Sequence, residues 1–274
     1  MYFQAIGGSL YKFVLSQSWD VTTAHIHSTA SLNSGSGLNN TGSNASNSDT
    51  IGNVRDIKFS DNGHKLFILN MVGSRPFIDT ISSSHEFEIT GSKRGYGDWQ
   101  NTNSFRTLLP TSTHYNWKAQ SMYFKDGNTF FIIGGESGSG GTQRPRVDKF
   151  IITGSAYDMY TMEYTGEFFE LEGFPSQSEA PKSITFNPNG TKMFVGSKNP
   201  GPHIQEFDLY SPWDITTADL NKTKRYDDMF NEADHPHGNK STDGNKRWGI
   251  YGYQQLFFSK SSKTRFKFFF SLNL

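Results

Sequence analysis

The chain has 274 residues, enough to bury a sizeable core in one large all-β domain or in two ordinary ones. Lys plus Arg and Asp plus Glu number 26 each, so the formal charge is zero and no global field draws in nucleic acid or an anionic membrane. There is no Cys, which excludes disulfides, thiolate zinc sites and thiol nucleophiles while leaving the compartment open.

Hydrophobic residues make up only 34%, yet 24 residues are Phe and 12 are Tyr, so aromatic rings must supply much of the core volume. Such rings suit sheet faces packed on one another. The start, Met1-Tyr2-Phe3-Gln4-Ala5-Ile6, has no basic n-region and no apolar stretch of signal-peptide length. No run of about 18 apolar residues occurs, so a soluble chain without a membrane-spanning helix is expected.

In chain order, Met1-Tyr2-Phe3 aligns with Lys192-Met193-Phe194-Val195 and reads as a strand, followed by a second at Phe13-Val14-Leu15 and a turn at Ser18-Trp19-Asp20-Val21-Thr22-Thr23-Ala24. The tract 31–50 is rich in Asn, Ser and Gly and has the composition of a flexible loop. Then comes a unit with strand A at 54–60, a hairpin through Asp61-Asn62-Gly63, strand B at 65–70, strand C at 86–90 and strand D at 104–109.

The hairpin recurs. Phe59/Phe67, Phe124/Phe131, Phe186/Phe194 and Phe258/Phe266 each flank a tight turn, and the first Phe of each pair returns after 65, 62 and 72 residues. A period that long marks one supersecondary unit copied along the chain. A strand-C column follows at Phe87-Glu88-Ile89, Phe150-Ile151-Ile152 and Phe207-Asp208-Leu209. An aromatic-Asp pair then appears at Tyr157-Asp158 and Trp213-Asp214. The aromatic reads as a lid on the sheet edge, and the Asp as an acceptor for backbone N–H groups of the next turn.

No segment holds a 3.6-residue apolar period for more than two turns. Four antiparallel strands per repeat define a propeller blade, so the expected fold is all-β, a single β-propeller over residues 1–274 with about four to five four-stranded blades. Both ends fall within a strand B, so the terminal blade is expected to be split between the N- and C-termini. Three closures remain open: four blades with a surplus strand, five sheets of which two are incomplete, or a ring completed by another chain.

The segments Leu15-Ser16-Gln17-Ser18-Trp19-Asp20-Val21-Thr22-Thr23-Ala24, Ile184-Thr185-Phe186-Asn187-Pro188-Asn189-Gly190-Thr191-Lys192-Met193-Phe194-Val195 and Leu209-Tyr210-Ser211-Pro212-Trp213-Asp214-Ile215-Thr216-Thr217-Ala218 resemble a β-propeller repeat family of marine bacteriophages and bacteria. The second unit departs from the pattern, since there Trp99 follows Asp98. In phages the resemblance implies a virion- or tail-associated module, and in bacteria a secreted surface protein. It supplies no catalytic motif, and it bears on function only by analogy.

Several clusters could carry chemistry. His235-Pro236-His237, after Glu232 and Asp234, has metal-ligand residue types, but the Pro holds the backbone extended and sends the two rings to opposite faces, so an exposed loop is expected. Gly134 to Gly141 lacks the Lys-Ser/Thr and the helix of a phosphate loop, and reads as a long B–C loop leading through Arg144 and Arg146 into strand C. Tyr96 and Trp99 stand on a Gly-permitted loop and suit sugar stacking or a protein hot spot.

The strand-A entries carry Arg55, Lys118 and Lys182, which either ring the axis as a site for a carboxylate or sulfate or extend to solvent from strand ends. Of the acids there, only Asp56 and Glu179 could serve a channel metal, and the three cations oppose one. No catalytic residue, metal or cofactor is assigned.

The expectation is therefore a non-enzymatic, virion-associated propeller, a structural or host-adhesion module of a phage particle. Its partners would be other virion proteins or a host-surface glycan, with no nucleic acid, no membrane insertion and a possible oligomeric state. The alternatives are a lactonase-like propeller hydrolase with a central-channel metal and a secreted bacterial surface propeller.

Overall fold

The computed structural model describes residues 2–5, 9–17, 23–31, 54–72, 75–82, 85–87, 93–94, 117–136, 145–171, 181–197, 203–225, 252–255 and 269–272. They form antiparallel strands with two single turns of 3-10 helix, Met159–Thr161 and Ile215–Thr217. The strands are β1 Tyr2–Ala5, β2 Ser9–Leu15, β3 Ala24–Ser31, β4 Val54–Phe59, β5 Lys65–Val72, β6 Arg75–Ser82, β7 Lys93–Arg94, β8 Trp117–Phe124, β9 Thr129–Glu136, β10 Arg146–Ile152, β11 Met162–Glu170, β12 Pro181–Phe186, β13 Lys192–Ser197, β14 His203–Leu209, β15 Ala218–Arg225, β16 Gly252–Gln255 and β17 Phe269–Leu272.

These strands make sheets in sequence order: β1–β3, β4–β7, β8–β11, β12–β15 and β16–β17. Inside each sheet consecutive strands pair antiparallel, as short hairpin connections require. The first strands lie side by side, β4 against β8, β8 against β12 and β12 against β16, so the sheets radiate from a common inner row. That is a β-propeller with four-stranded blades. At the ends, β16 pairs with β17 while β1–β3 stays three-stranded, and β17 lies against β1.

The core sits in the seams between sheets. One cluster joins Phe67, Leu69 and Ile78 of the β4–β7 sheet to Met122, Phe130, Ile132, Phe150 and Ile152 of the next. The other joins Phe131, Ile133 and Val147 to Ile184, Phe186, Met193, Val195 and Phe207. Strand alternation explains the split: Phe130 and Ile132 face one neighbour, Phe131 and Ile133 the other, and all four are fully buried. Each buried Phe contributes on the order of 2 kcal/mol, so ring-rich seams can offset the low overall hydrophobic content.

At one end of the sheets a three-part motif repeats. The hairpin glycines Gly63, Gly127 and Gly190 accept, through their carbonyls, the backbone N–H of Phe87 (2.8 Å), Tyr157 (2.7 Å) and Trp213 (2.9 Å). Those aromatics hold φ of +53°, +63° and +66°. A Cβ at Gly190 would lie 2.3 Å from the Trp213 ring, and one at Gly63 2.6 Å from Phe87, so the hairpin Gly and the aromatic require each other. The two Asp residues act as expected: Asp158 accepts from Tyr160 N (3.2 Å) and Asp214 from Thr216 N (3.0 Å), capping the 3-10 turns. The aromatic is a seam element rather than an edge lid, since Trp213 stacks on Tyr123 of the preceding sheet at 6.1 Å.

This motif corrects the expected second unit. Strand C there is β6 at Arg75–Ser82, and Phe87 belongs to the turn that follows, in the place of Tyr157 and Trp213. The sequence at that turn reads Phe87-Glu88, so the aromatic is followed by a longer acid. Strand D starts its pairing at Lys93–Arg94, and the expected 104–109 segment lies outside the described residues. Gly134, Gly135 and Glu136 finish β9 instead of opening a loop.

Candidate functional site

The inner strands β4, β8 and β12 are each interrupted at one place. The pairing of β4 with β5 shifts between Val54 and Asp56, that of β8 with β9 between Ala119 and Ser121, and that of β12 with β13 between Pro181 and Ser183. The extra residues are Arg55, Gln120 and Lys182, each four positions before the hairpin Phe of its unit. A bulge leaves one residue out of the ladder and re-aims its side chain, and bulges concentrate at barrel rims and next to active sites. Lys182 Nζ donates to Gln120 Oε1 at 3.5 Å, so the bulge residues of adjacent sheets meet.

Asp56, next to the first bulge, is buried and ties two inner strands together. Its Oδ2 accepts from Ser121 Oγ (2.9 Å) and Met122 N (2.8 Å) of β8. Its Oδ1 accepts from Ile57 N (2.8 Å) and Lys58 Nζ (3.3 Å). Burial pushes the Lys58 ammonium down to about 8, outweighing the opposing pull of Asp56.

A second charged pair lies in the same seam. Arg146 Nε donates to Asp148 Oδ2 at 3.0 Å and its Nη2 lies 2.6 Å from Oδ1, with the Asp148 side chain wholly buried. The guanidinium also stacks over the Phe168 ring at 4.7 Å. Burial raises the Asp148 carboxyl to about 6, against the opposing effects of Arg146 and the Tyr164 hydroxyl. Burial, followed by the Asp148 charge, raises Tyr164 to about 12.

The sequence candidates divide accordingly. Arg55 and Lys182 occupy equivalent bulges, whereas Lys118 sits two residues before its bulge and Gln120 takes the place expected for it. Tyr96, Trp99, Glu179 and the His235-Pro236-His237 segment lie outside the described residues. Counting back four residues from each hairpin Phe would have found Gln120. The Arg146–Asp148 pair had a sequence signal too, opposite charges two apart on one face of an apolar strand.

A channel metal does not suit these residues. The Asp56 carboxylate already receives four donors, one of them cationic, and Arg55 stands at the bulge next to it in the chain, with Lys182 at the equivalent bulge of β12. Among the described residues no three His, Asp or Glu gather at ligand spacing.

No protein-family model and no curated protein matches the chain. Solved propellers align with it weakly. A candidate 6-phosphogluconolactonase of Bacteroides fragilis aligns at 10% identity and TM-score 0.42, covering 80% of this chain and 52% of that one. The periplasmic gluconolactonase of Pseudomonas aeruginosa aligns at 13% and 0.34, covering 63% and 39%. The propeller domain of Myceliophteria thermophila Cps50 (Swd1) aligns at 8% and 0.36, covering 80% and 66%. The chain thus spans about half the length of the first of these.

The expectation of a non-enzymatic virion or adhesion module is not borne out: two of these three propellers are named as lactonases and none as a particle protein. The likeness speaks to fold alone, so an activity has to be argued from the chain's own residues.

Proposed function

We propose that this propeller is a small-molecule hydrolase of lactonase-like kind, with its site at the bulged ends of β4, β8 and β12. The observation that carries the reading is the common bulge position, which places Arg55, Gln120 and Lys182 at one level of the inner row.

Hydrolysis of a lactone forms a bond from water to the acyl carbon and breaks the bond from that carbon to the ring oxygen. The proton passes to the ring oxygen, and a hydroxycarboxylate results. A donor-only group of guanidinium, amide N–H and ammonium favours the oxyanion that develops on the carbonyl and the carboxylate of the product. Since the acid nearest the bulges is fully engaged, no step is assigned to a metal.

The test is a pH-stat screen of aldonolactones and aryl esters in the presence of EDTA. Turnover that falls at least tenfold in Lys182→Met, with unchanged thermal melting, is the expected result. Lack of turnover on every lactone and ester overturns the reading.

A further inference from the structure

In two of the three interlocked turns the residue before the hairpin glycine is an exposed Asn, Asn62 before Gly63 and Asn189 before Gly190, and in the third it is Asp126 before Gly127. These are the two Asn-Gly pairs of the whole sequence. All three side chains fold back over the glycine that follows. His64 N donates to Asn62 Oδ1 at 3.1 Å, Thr191 N and Oγ1 donate to Asn189 Oδ1 at 3.5 and 2.9 Å, and Asn128 N donates to Asp126 Oδ1 at 2.8 Å. Such a bond sets Cγ beside the glycine nitrogen, and the glycine has no Cβ to obstruct an approach. Donors on Oδ1, with Ser60 Oγ adding one at Asn62 (2.8 Å), favour the oxyanion that attack at Cγ would create.

The latch of the turn holds this reaction back. Gly63 N donates to Ser60 O at 2.8 Å and Gly190 N to Asn187 O at 3.0 Å, while the two glycine carbonyls receive Phe87 N and Trp213 N. The electron pair left when the glycine nitrogen loses its proton would point at that carbonyl oxygen rather than at Cγ. The peptide plane has to rotate first, and the ring standing against the glycine Cα fixes it in place.

We propose that Asn62 and Asn189 are modification sites, at which the glycine nitrogen closes a succinimide on the side chain when the aromatic latch of that turn opens. The nitrogen loses its proton and bonds to Cγ, the bond from Cγ to Nδ2 breaks, and the amide leaves as ammonia. Water then opens the imide at either carbonyl, giving Asp or isoaspartate. Each event adds one negative charge to a chain whose formal charge is zero. The isoaspartate form also puts an extra methylene into the turn, so the glycine carbonyl no longer meets the aromatic N–H. At Asn189 that loosens a seam, because Trp213 stacks on Tyr123 of the preceding sheet. Asp126 is a built-in control, since a carboxylate has no ammonia to lose and its turn gains no charge.

Peptide mapping after incubation in mildly alkaline buffer tests the sites, with isoelectric focusing of the intact chain reading the added charge. In the folded parent both asparagines should convert at least tenfold more slowly than in urea, where the latch is gone. Trp213→Leu should speed Asn189 about tenfold and leave Asn62 at the parental rate, and Phe87→Leu should do the reverse. A variant that fails to fold shows itself by converting both sites at the urea rate, and the folded parent against the parent in urea then decides. Equal rates in those two states overturn the proposal. So does a folded variant in which both sites accelerate together, or a parent in which neither Asn converts even in urea.

Discussion

The seam between the β4–β7 and β8–β11 sheets and the seam between β8–β11 and β12–β15 share one apolar plan and differ in charge. Both bury rings from the second strand of one sheet against rings from the next. Aligned on the hairpin Phe residues, Asp56 and Lys58 of β4 correspond to Ser121 and Tyr123 of β8. Aligned on Phe150 and Phe207, Arg146 and Asp148 of β10 correspond to His203 and Gln205 of β14. The first seam therefore carries two buried charge pairs where the described counterparts, Ser121, Tyr123 and Gln205, are neutral, and the second closes nonetheless. Shape and apolar burial hold the blades together, and the charges are additions that the fold tolerates at a cost.

The largest effect should come from splitting one of those pairs. Asp148→Gln leaves the Arg146 guanidinium buried without its partner, and a broken buried pair costs about 3–5 kcal/mol. Adding Arg146→His, so that β10 copies β14, should recover most of the loss and bring stability to within about 1 kcal/mol of the parent. Urea denaturation of the three proteins checks this, and a double variant no better than the single one would show that the pair is required for closure.

The turn motif should not distinguish the units that carry it. Gly63 and Gly190 both hold φ of +71° and both lie under an aromatic ring. Gly→Ala at either position combines left-handed strain with a clash against a ring that is itself packed, and should cost about 2–4 kcal/mol in both cases. Unequal losses, measured by the same denaturation, would mean that the repeat is structurally less regular than its hydrogen bonds.

The two seams should part again in their response to pH. Asp148 is raised from 3.8 to about 6 in the folded protein, so the native state holds the extra proton between those values. Its contribution is fully present below about pH 4 and is lost as pH rises through 6, a fall on the order of 3 kcal/mol. Lys58 is lowered from 10.5 to about 8, so the unfolded state holds more protons in that window. Its contribution is present above about pH 10.5 and is lost as pH falls through 8. Thermal melts across pH should therefore show stability falling as pH rises from about 4 to 6, a fall that Asp148→Asn removes. A slope that survives this substitution assigns it to another group.

How far the sequence reached follows from what each signal depends on. The hairpins were legible because Asn-Gly and Asp-Gly turns between Phe-bearing strands are local signals, and the blade followed from their spacing. The first full unit was mis-phased because Phe87 resembles the strand residues Phe13, Phe150 and Phe207. Only its positive φ and its contact with Gly63 reveal a turn aromatic. The bulges escaped for the same reason: a one-residue insertion changes which side chain faces where without altering composition. That is why Lys118 was grouped with Arg55 and Lys182 although Gln120 is the residue at their level. Asp56 was legible as an acid at a strand entry, but its four donors come from two strands, and the hydroxyl and backbone N–H supplied by β8 come from some 65 residues away.

The smallest effect extends the comparison to the third inner strand. Lys58, Tyr123 and Thr185 occupy one position, just before the hairpin Phe, and each solves the polar problem differently. Lys58 reaches Asp56, and Tyr123 lays its ring on Phe186 at 5.0 Å, with burial pushing its hydroxyl up to about 12. Thr185 buries its Oγ1 without a hydrogen-bond partner among the described residues. A buried hydroxyl left unsatisfied costs about 1–3 kcal/mol, and Val keeps the β-branched shape while removing the group. Thr185→Val should therefore stabilise the chain by about 1 kcal/mol, read as a shift of the urea midpoint with an unchanged slope. A loss instead of a gain would mean that the hydroxyl is satisfied in solution, and would make this strand the counterpart of β4, where the polar group is held, rather than of β8, where it is covered by a ring.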